Sequence, residues 1–176
     1  AEFTTVSHSG EKRLAVELNV PPQRMSVLPN GVDLDRFQPP TPGQRSAAKA
    51  ALGLSPGTFV VGWVGTLSVV KRPDMLIDAI RFTEPPTFRP HVVFVGDGPL
   101  RGALQERIHE AGLADRITLA GAQETVLSFL AAFDVLVSSS DSEEMSNAVL
   151  EALACGIPVV GTDVGDTRAM VQDAVG

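Results

Sequence analysis

The amino-acid sequence predicts an α/β protein built on a doubly wound parallel sheet. Three observations carry that prediction. From Phe59 onward, short apolar runs alternate with stretches of helical spacing. The runs are apolar throughout rather than at every second position, which is the pattern of strands buried on both faces. Each run closes on glycine or small polar residues, and the helical stretches between them are long enough for right-handed crossovers.

The elements follow in order. Phe59-Val-Val-Gly-Trp-Val64 is β-branched and aromatic and ends at Gly65, a strand. Pro73 to Phe82 has Met75-Leu76 and Ala79-Ile80 at helical spacing. His91 to Val95 is the second strand, closed by Gly96-Asp-Gly98-Pro99, with Pro99 suited to a first helical position. Leu100 to Ala111 is amphipathic, with Leu104, Ile108 and Ala111 on one face. Ile117 to Leu119 is a short strand ending at Gly121, Val126 to Ala132 a short helix, and Phe133 to Val137 a strand ending in Ser138-Ser139-Ser140. An Ala-rich helix starts near Ser146 and stops before Gly156 and Pro158; the strand to Thr162 and a helix from Thr167 to Gln172 complete the run.

The first forty residues read differently. Thr4 to Ser7 resembles the end of a strand, Gly10 to Leu18 a helix broken by Pro21-Pro22, and Met25 to Leu28 an extended piece before the turn Pro29-Asn30-Gly31. Pro39 to Gly43 forms a stiff junction before a helix from Gln44 to Leu52. Residues 1–40 are therefore expected to be the exit segment of an absent N-terminal domain plus a hinge. Residues 41–176 are expected to form one Rossmann-like domain, cut short at its C-terminus.

Composition narrows the function classes. A formal charge of −7 and a pI near 4.9 argue against a nucleic-acid partner, which needs a clustered basic face. Cys155 is the only cysteine, so neither an intramolecular disulfide nor a cysteine zinc site is expected, and it reads as a small buried residue. No apolar run approaches the roughly 20 residues that span a bilayer. With a charged N-terminal stretch unlike a signal peptide, the expectation is a cytoplasmic protein.

Glu143 and Glu151 form the most informative pair, one in a polar loop and one inside the Ala-rich helix. Open parallel sheets bind ligands beyond the carboxyl ends of their strands, where strand order reverses. With the order 3-2-1-4-5 counted from Phe59, the first strand delivers Gly65 to Lys71 and the fourth delivers Ser138 to Glu144 to one crevice. Lys71 there suits a phosphate, with Gly65 and Thr66 allowing close backbone approach, or is a solvated helix-start lysine. Ser146 and Asn147 are ordinary N-cap types; the same helix start offers N–H groups to an anion. Gly96-Asp-Gly98 with Gly102 suggests either a tight turn or a dinucleotide loop. Asp33 and Asp35 read as a turn rather than a metal pair. His91 and His109 read as structural or surface residues, and His8 as a residue that could face a cleft. Ser138 to Ser140 lack a nucleophile elbow.

The phrases Leu28-Pro-Asn-Gly-Val-Asp33, Val64-Gly-Thr-Leu-Ser-Val-Val-Lys71, Val95-Gly-Asp-Gly-Pro99, Ser142-Glu-Glu-Met-Ser-Asn-Ala-Val-Leu-Glu-Ala152 and Ala154-Cys-Gly-Ile-Pro-Val-Val160 together resemble family 4 retaining glycosyltransferases of two-domain GT-B architecture. The resemblance implies the donor-binding half of an enzyme that moves a hexose from a nucleoside diphosphate (UDP- or GDP-) sugar to a sugar, lipid or polysaccharide acceptor. It places the carboxylate of Glu143 beside the donor sugar, Glu151 on the ribose and Lys71 on the diphosphate. Backbone from Met145 through Ser146, Asn147 and Ala148 to Val149 would hold the sugar or phosphate, and Gly121, Ala122 and Gln123 would lie near the base. Gly65, Thr66, Gly96 and Gly98 complete the expected donor contacts. Neither metal nor cofactor is implied, and membrane contact, where it occurs, is peripheral at the inner surface through the other half. Alone, the fragment is expected to be inactive. Three positions differ from the family pattern: Thr66 where arginine is frequent, Glu144 where glycine is usual, and Asp166 at the second glycine of a late Gly-Gly turn. A sugar-nucleotide epimerase of the same fold and an NAD(P)-binding oxidoreductase domain are the alternatives.

Overall fold

The computed structural model describes residues 2–82 and 88–173. Near the N-terminus β1 (Phe3–Thr5), α1 (His8–Glu17) and β2 (Met25–Val27) form a small unit in which the two strands pair in parallel. Then come α2 (Pro42–Ala51), β3 (Val60–Val64), α3 (Pro73–Arg81), β4 (His91–Val95), α4 (Arg101–Glu110), β5 (Ile117–Gly121), α5 (Leu127–Leu130), β6 (Val135–Ser138), α6 (Asn147–Ala154), β7 (Val159–Gly161) and α7 (Thr167–Asp173). The last five strands make one parallel sheet in the order β5-β4-β3-β6-β7, the expected 3-2-1-4-5.

Alternate strand residues enter separate cores. Val60, Val93 and Val95 join Leu130, Phe133, Val149 and Ala152 on one face, with Ala48 and Leu52 of α2 packed against them. Val61, Trp63, Val92 and Phe94 join Leu76, Ile77, Ile80, Leu104 and Ile108 of α3 and α4 on the other. Helices thus cover both faces, which is why the strands carry no polar alternation. Cys155 is buried in the first core at the C-cap of α6, as its composition suggested.

Several boundaries differ from the sequence expectation. Phe133 lies before β6, and its ring fills the space that a Cβ on Gly62 would occupy, at 2.0 Å. Its apolar character therefore signals packing under a neighbouring strand. Pro99 sits in a turn ahead of α4 rather than at its first position; Leu100 is the N-cap and Gly102 already lies inside the helix. Helix α1 begins two residues earlier than Gly10 because the Ser7 side chain accepts the Gly10 N–H at 2.9 Å.

Helix α2 begins earlier too, on a capping box. Thr41 accepts from the Gln44 N–H, and the Gln44 side chain accepts from the Thr41 N–H at 2.8 Å. Thr41→Ala is expected to cost about 1 kcal/mol, a fall in Tm of roughly 2–4 °C in a thermal melt.

Candidate functional site at the carboxyl edge of the sheet

The reversal of strand order falls between β3 and β6, so the loops leaving these neighbouring strands share one edge. They are stitched together from below. The Trp63 indole donates to Ser139 Oγ at 3.0 Å, and that hydroxyl lies 2.9 Å and 2.7 Å from the carbonyls of Lys71 and Arg72. The Asp141 N–H donates to the Val70 carbonyl at 2.8 Å. Arg72 takes a left-handed backbone (φ 47°) and spans Asp74 and Asp141, both at 3.2 Å. Lys71 and the 138–146 loop are fixed against one another by this set.

The Lys71 ammonium forms an ion pair with Glu143, whose other neighbour is Ser140 Oγ at 3.4 Å. The Glu143 side chain is only 15% exposed, so the pair lies in the crevice rather than over the surface. Glu143 stays in the loop before α6. Ser146 is the N-cap of that helix in extended backbone, yet its side chain makes no capping bond. The first-turn N–H groups, including those of Asn147, Ala148 and Val149, therefore have neither an intrahelical acceptor nor a side-chain cap. Glu151 sits within the same helix, half-buried; burial pushes its carboxyl above the usual range, and Arg36 pulls the other way.

The glycine-rich loops are laced side by side along the edge. Gly65 donates to the Val95 carbonyl at 3.0 Å, Leu67 to Asp97 at 3.0 Å, and Gly96 to Gly121 at 2.8 Å. A Cβ on Gly96 (φ +137°) would lie 1.8 Å from the Gly65 carbonyl oxygen, and one on Gly98 would lie 2.6 Å from that of Leu67. Both glycines thus permit contact between backbones, which supports the tight-turn reading. Thr66, Ala122 and Gln123 are exposed at the same edge, and the Gln123 amide donates back to the Ala120 carbonyl at 2.8 Å.

Other candidates resolve simply. His8 is 75% exposed and pairs with Glu11. His91 bonds Thr118 at 2.8 Å, a structural contact. Asp33 accepts the N–H groups of Asp35 and Arg36, forming the turn expected of it. Among the described residues no three His, Cys, Asp or Glu side chains gather as a metal site.

The structure also brings in residues that sequence reasoning missed. Asn30 donates from its backbone to the Met145 sulfur at 3.2 Å and from its amide to the Met145 carbonyl at 3.1 Å. Arg36 donates to Thr125 Oγ1 at 3.1 Å, just beyond the Gly121–Gln123 loop. The only sequence signal for either was its place in or beside the Leu28–Asp33 phrase.

The family model described as "Glycosyl transferases group 1" matches residues 58–176. The chain belongs to this glycosyltransferase family. It is 38% identical over 165 residues to the D-inositol 3-phosphate glycosyltransferase of Mycobacterium sp. (strain KMS), covering 89% of this chain and 36% of that one. It is 37% identical over 164 residues to the lipopolysaccharide core biosynthesis mannosyltransferase LpsB of Rhizobium meliloti (strain 1021), covering 90% and 45%. This glycosyltransferase chain thus spans less than half the length of these two relatives. Among solved structures, Anabaena HepE in complex with UDP-glucose superposes with a TM-score of 0.85 at 26% identity, covering 94% of this chain and 46% of that one. WaaG, a glycosyltransferase involved in lipopolysaccharide biosynthesis, shares the fold with a TM-score of 0.84 at 22% identity, covering 97% and 46%.

Proposed function

We propose that this chain is the nucleotide-sugar-binding half of a retaining glycosyltransferase, which moves a hexose from a nucleoside diphosphate sugar to a sugar, lipid or polysaccharide acceptor. The observation that carries the reading is the Lys71–Glu143 pair at the point of strand reversal, beside the uncapped start of α6. Lys71 takes the diphosphate and stabilises it as the bond to the sugar's anomeric carbon breaks. The first-turn N–H groups of α6 add donors for phosphate or sugar oxygens. Glu143, released from Lys71, accepts from sugar hydroxyls, and Glu151 accepts from the ribose. The exposed Gly121–Gln123 loop lies near the base. That HepE was solved with UDP, with UDP and glucose, and with UDP-glucose supports this class of ligand.

The acceptor and its hydroxyl belong to the other half of the enzyme, so this chain alone binds donor without transferring it. Among the described residues no helix is long and apolar enough to cross a membrane; the reading is a cytoplasmic enzyme whose membrane contact, if its acceptor is a lipid, runs through the other half. The dinucleotide alternative is disfavoured, because close approach to the backbone of Gly65 and Leu67 already accounts for Gly96 and Gly98 without a pyrophosphate.

Calorimetry with UDP, GDP and NADP tests the reading. A nucleoside diphosphate should bind more tightly than NADP, and Glu151→Ala should weaken it about tenfold, the worth of roughly 1.5 kcal/mol in hydrogen bonds to a charged group. Tighter binding of NADP, or an unchanged affinity in Glu151→Ala, overturns it.

A further inference from the structure

Consecutive carboxylates in the site loop have partners on opposite sides. Glu143 turns to Lys71, whereas Glu144 turns to Arg13 on α1 and forms an ion pair with it. The Glu144 side chain also lies against the start of α1: a Cβ on Gly10 would come 2.3 Å from Thr5 Oγ1, 2.9 Å from Ser7 Oγ and 3.2 Å from the Glu144 carboxyl carbon. The start of α1 is anchored to the same place. Asp166 accepts the N–H groups of His8 at 2.9 Å and Ser9 at 3.1 Å, and its own N–H donates to the Glu144 carbonyl at 3.0 Å. These helix-start donors have no intrahelical acceptor, and a carboxylate is favoured there. The turn bearing Asp166 is pressed against the loop, since a Cβ on Gly165 (φ +56°) would lie 2.0 Å from the Glu143 carbonyl oxygen.

Glu144 and Asp166 are both acidic, both depart from the family pattern that the chain resembles, and both reach α1. Each is thereby accounted for by one partner element. Glu144 would otherwise add a carboxylate next to the ammonium and helix start that the proposed reading assigns to an anionic diphosphate.

We infer that Arg13 is a positioning residue for donor binding: by holding Glu144 on α1, it keeps a second carboxylate out of the crevice and leaves Lys71 and the α6 start to the diphosphate. The inference rests on the proposed function above. Arg13 acts through Glu144 and touches no substrate. Its effect is electrostatic and falls with ionic strength.

The test is a double-mutant cycle on the 176-residue chain, titrated with whichever of UDP and GDP the unaltered protein binds more tightly, at low and high salt. Arg13→Ala should weaken binding roughly five- to tenfold at low salt, and less at high salt, because a close carboxylate is left unneutralised. Glu144→Gln should bind at least as tightly as the unaltered protein. Arg13→Ala combined with Glu144→Gln should recover that affinity, and Arg13→Lys should retain most of it. Thermal melts show whether each variant is folded. A loss that Glu144→Gln does not rescue, or that ignores salt, means Arg13 only supports the fold and overturns the inference. So does unaltered affinity in Arg13→Ala, with the donor reading left standing. If the unaltered protein binds neither nucleotide, the donor reading falls and this inference falls with it.

Discussion

Replacing Lys71 by alanine is expected to weaken nucleoside diphosphate binding by about 2–3 kcal/mol, roughly 30- to 150-fold in affinity. Two losses add. The charge-assisted contact between the ammonium and the diphosphate disappears, and Glu143, only 15% exposed, is left in the crevice without its cation. Its carboxylate then repels the ligand it should help to hold. Glu143→Gln separates the two contributions. With the ion pair gone, Lys71 no longer has to exchange partners, so affinity for the bare diphosphate should rise even though hydrogen bonding to a sugar suffers. Lys71→Arg keeps the charge but changes its shape, and should fall between. Titration calorimetry decides: equal affinities for the unaltered protein and Lys71→Ala would sink the assignment of this side chain.

That pair was legible because topology alone brings it together. Once alternation makes the sheet parallel and doubly wound, the order 3-2-1-4-5 makes the ends of its first and fourth strands neighbours, and Lys71 and Glu143 lie 72 positions apart on those ends. The same reasoning missed the contacts that the first forty residues make with the rest of the chain. Arg13 with Glu144, Asn30 with Met145, Arg36 with Thr125 and Asp166 with His8 join positions 131, 115, 89 and 158 apart. They arise between short or irregular segments, where neither a period of two nor one of 3.6 records which side faces what. Glu144 and Asp166 were visible only as differences from a family pattern; the partner that explains them was not. Phe133 shows a different failure. Its apolar signal was sound, yet it reports burial beneath Gly62 and not membership of the strand that follows.

Asp134→Ala is expected to produce the largest loss of stability, about 3 kcal/mol, with a fall in Tm of roughly 6–12 °C. Asp134 stands between Phe133 and β6 and joins three elements. Its carboxylate pairs with Arg45 at 2.5 Å and Lys49 at 2.8 Å, both on α2, and accepts the Val60 N–H at 2.8 Å where β3 begins. Arg45 and Lys49 stand four apart and so share a helix face. Lys49 is 7% exposed and also donates to the Thr58 carbonyl at 2.8 Å, so removing the carboxylate strands a buried ammonium. Burial raises the Asp134 carboxyl, but Lys49, the Val60 N–H and Arg45 outweigh it and hold the group below its ordinary value of 3.8. A carboxyl whose folded pKa is depressed lends stability that is fully present above its unfolded pKa and lost as pH falls through the folded one. The gap in stability between the unaltered protein and Asp134→Ala should therefore be flat above about pH 5 and narrow below about pH 4, as the unfolded chain begins to take up a proton that the folded one resists. Urea melts across that range measure it. A gap that widens on acidification would mean that the carboxylate does not hold α2 to the start of β3 through its charge.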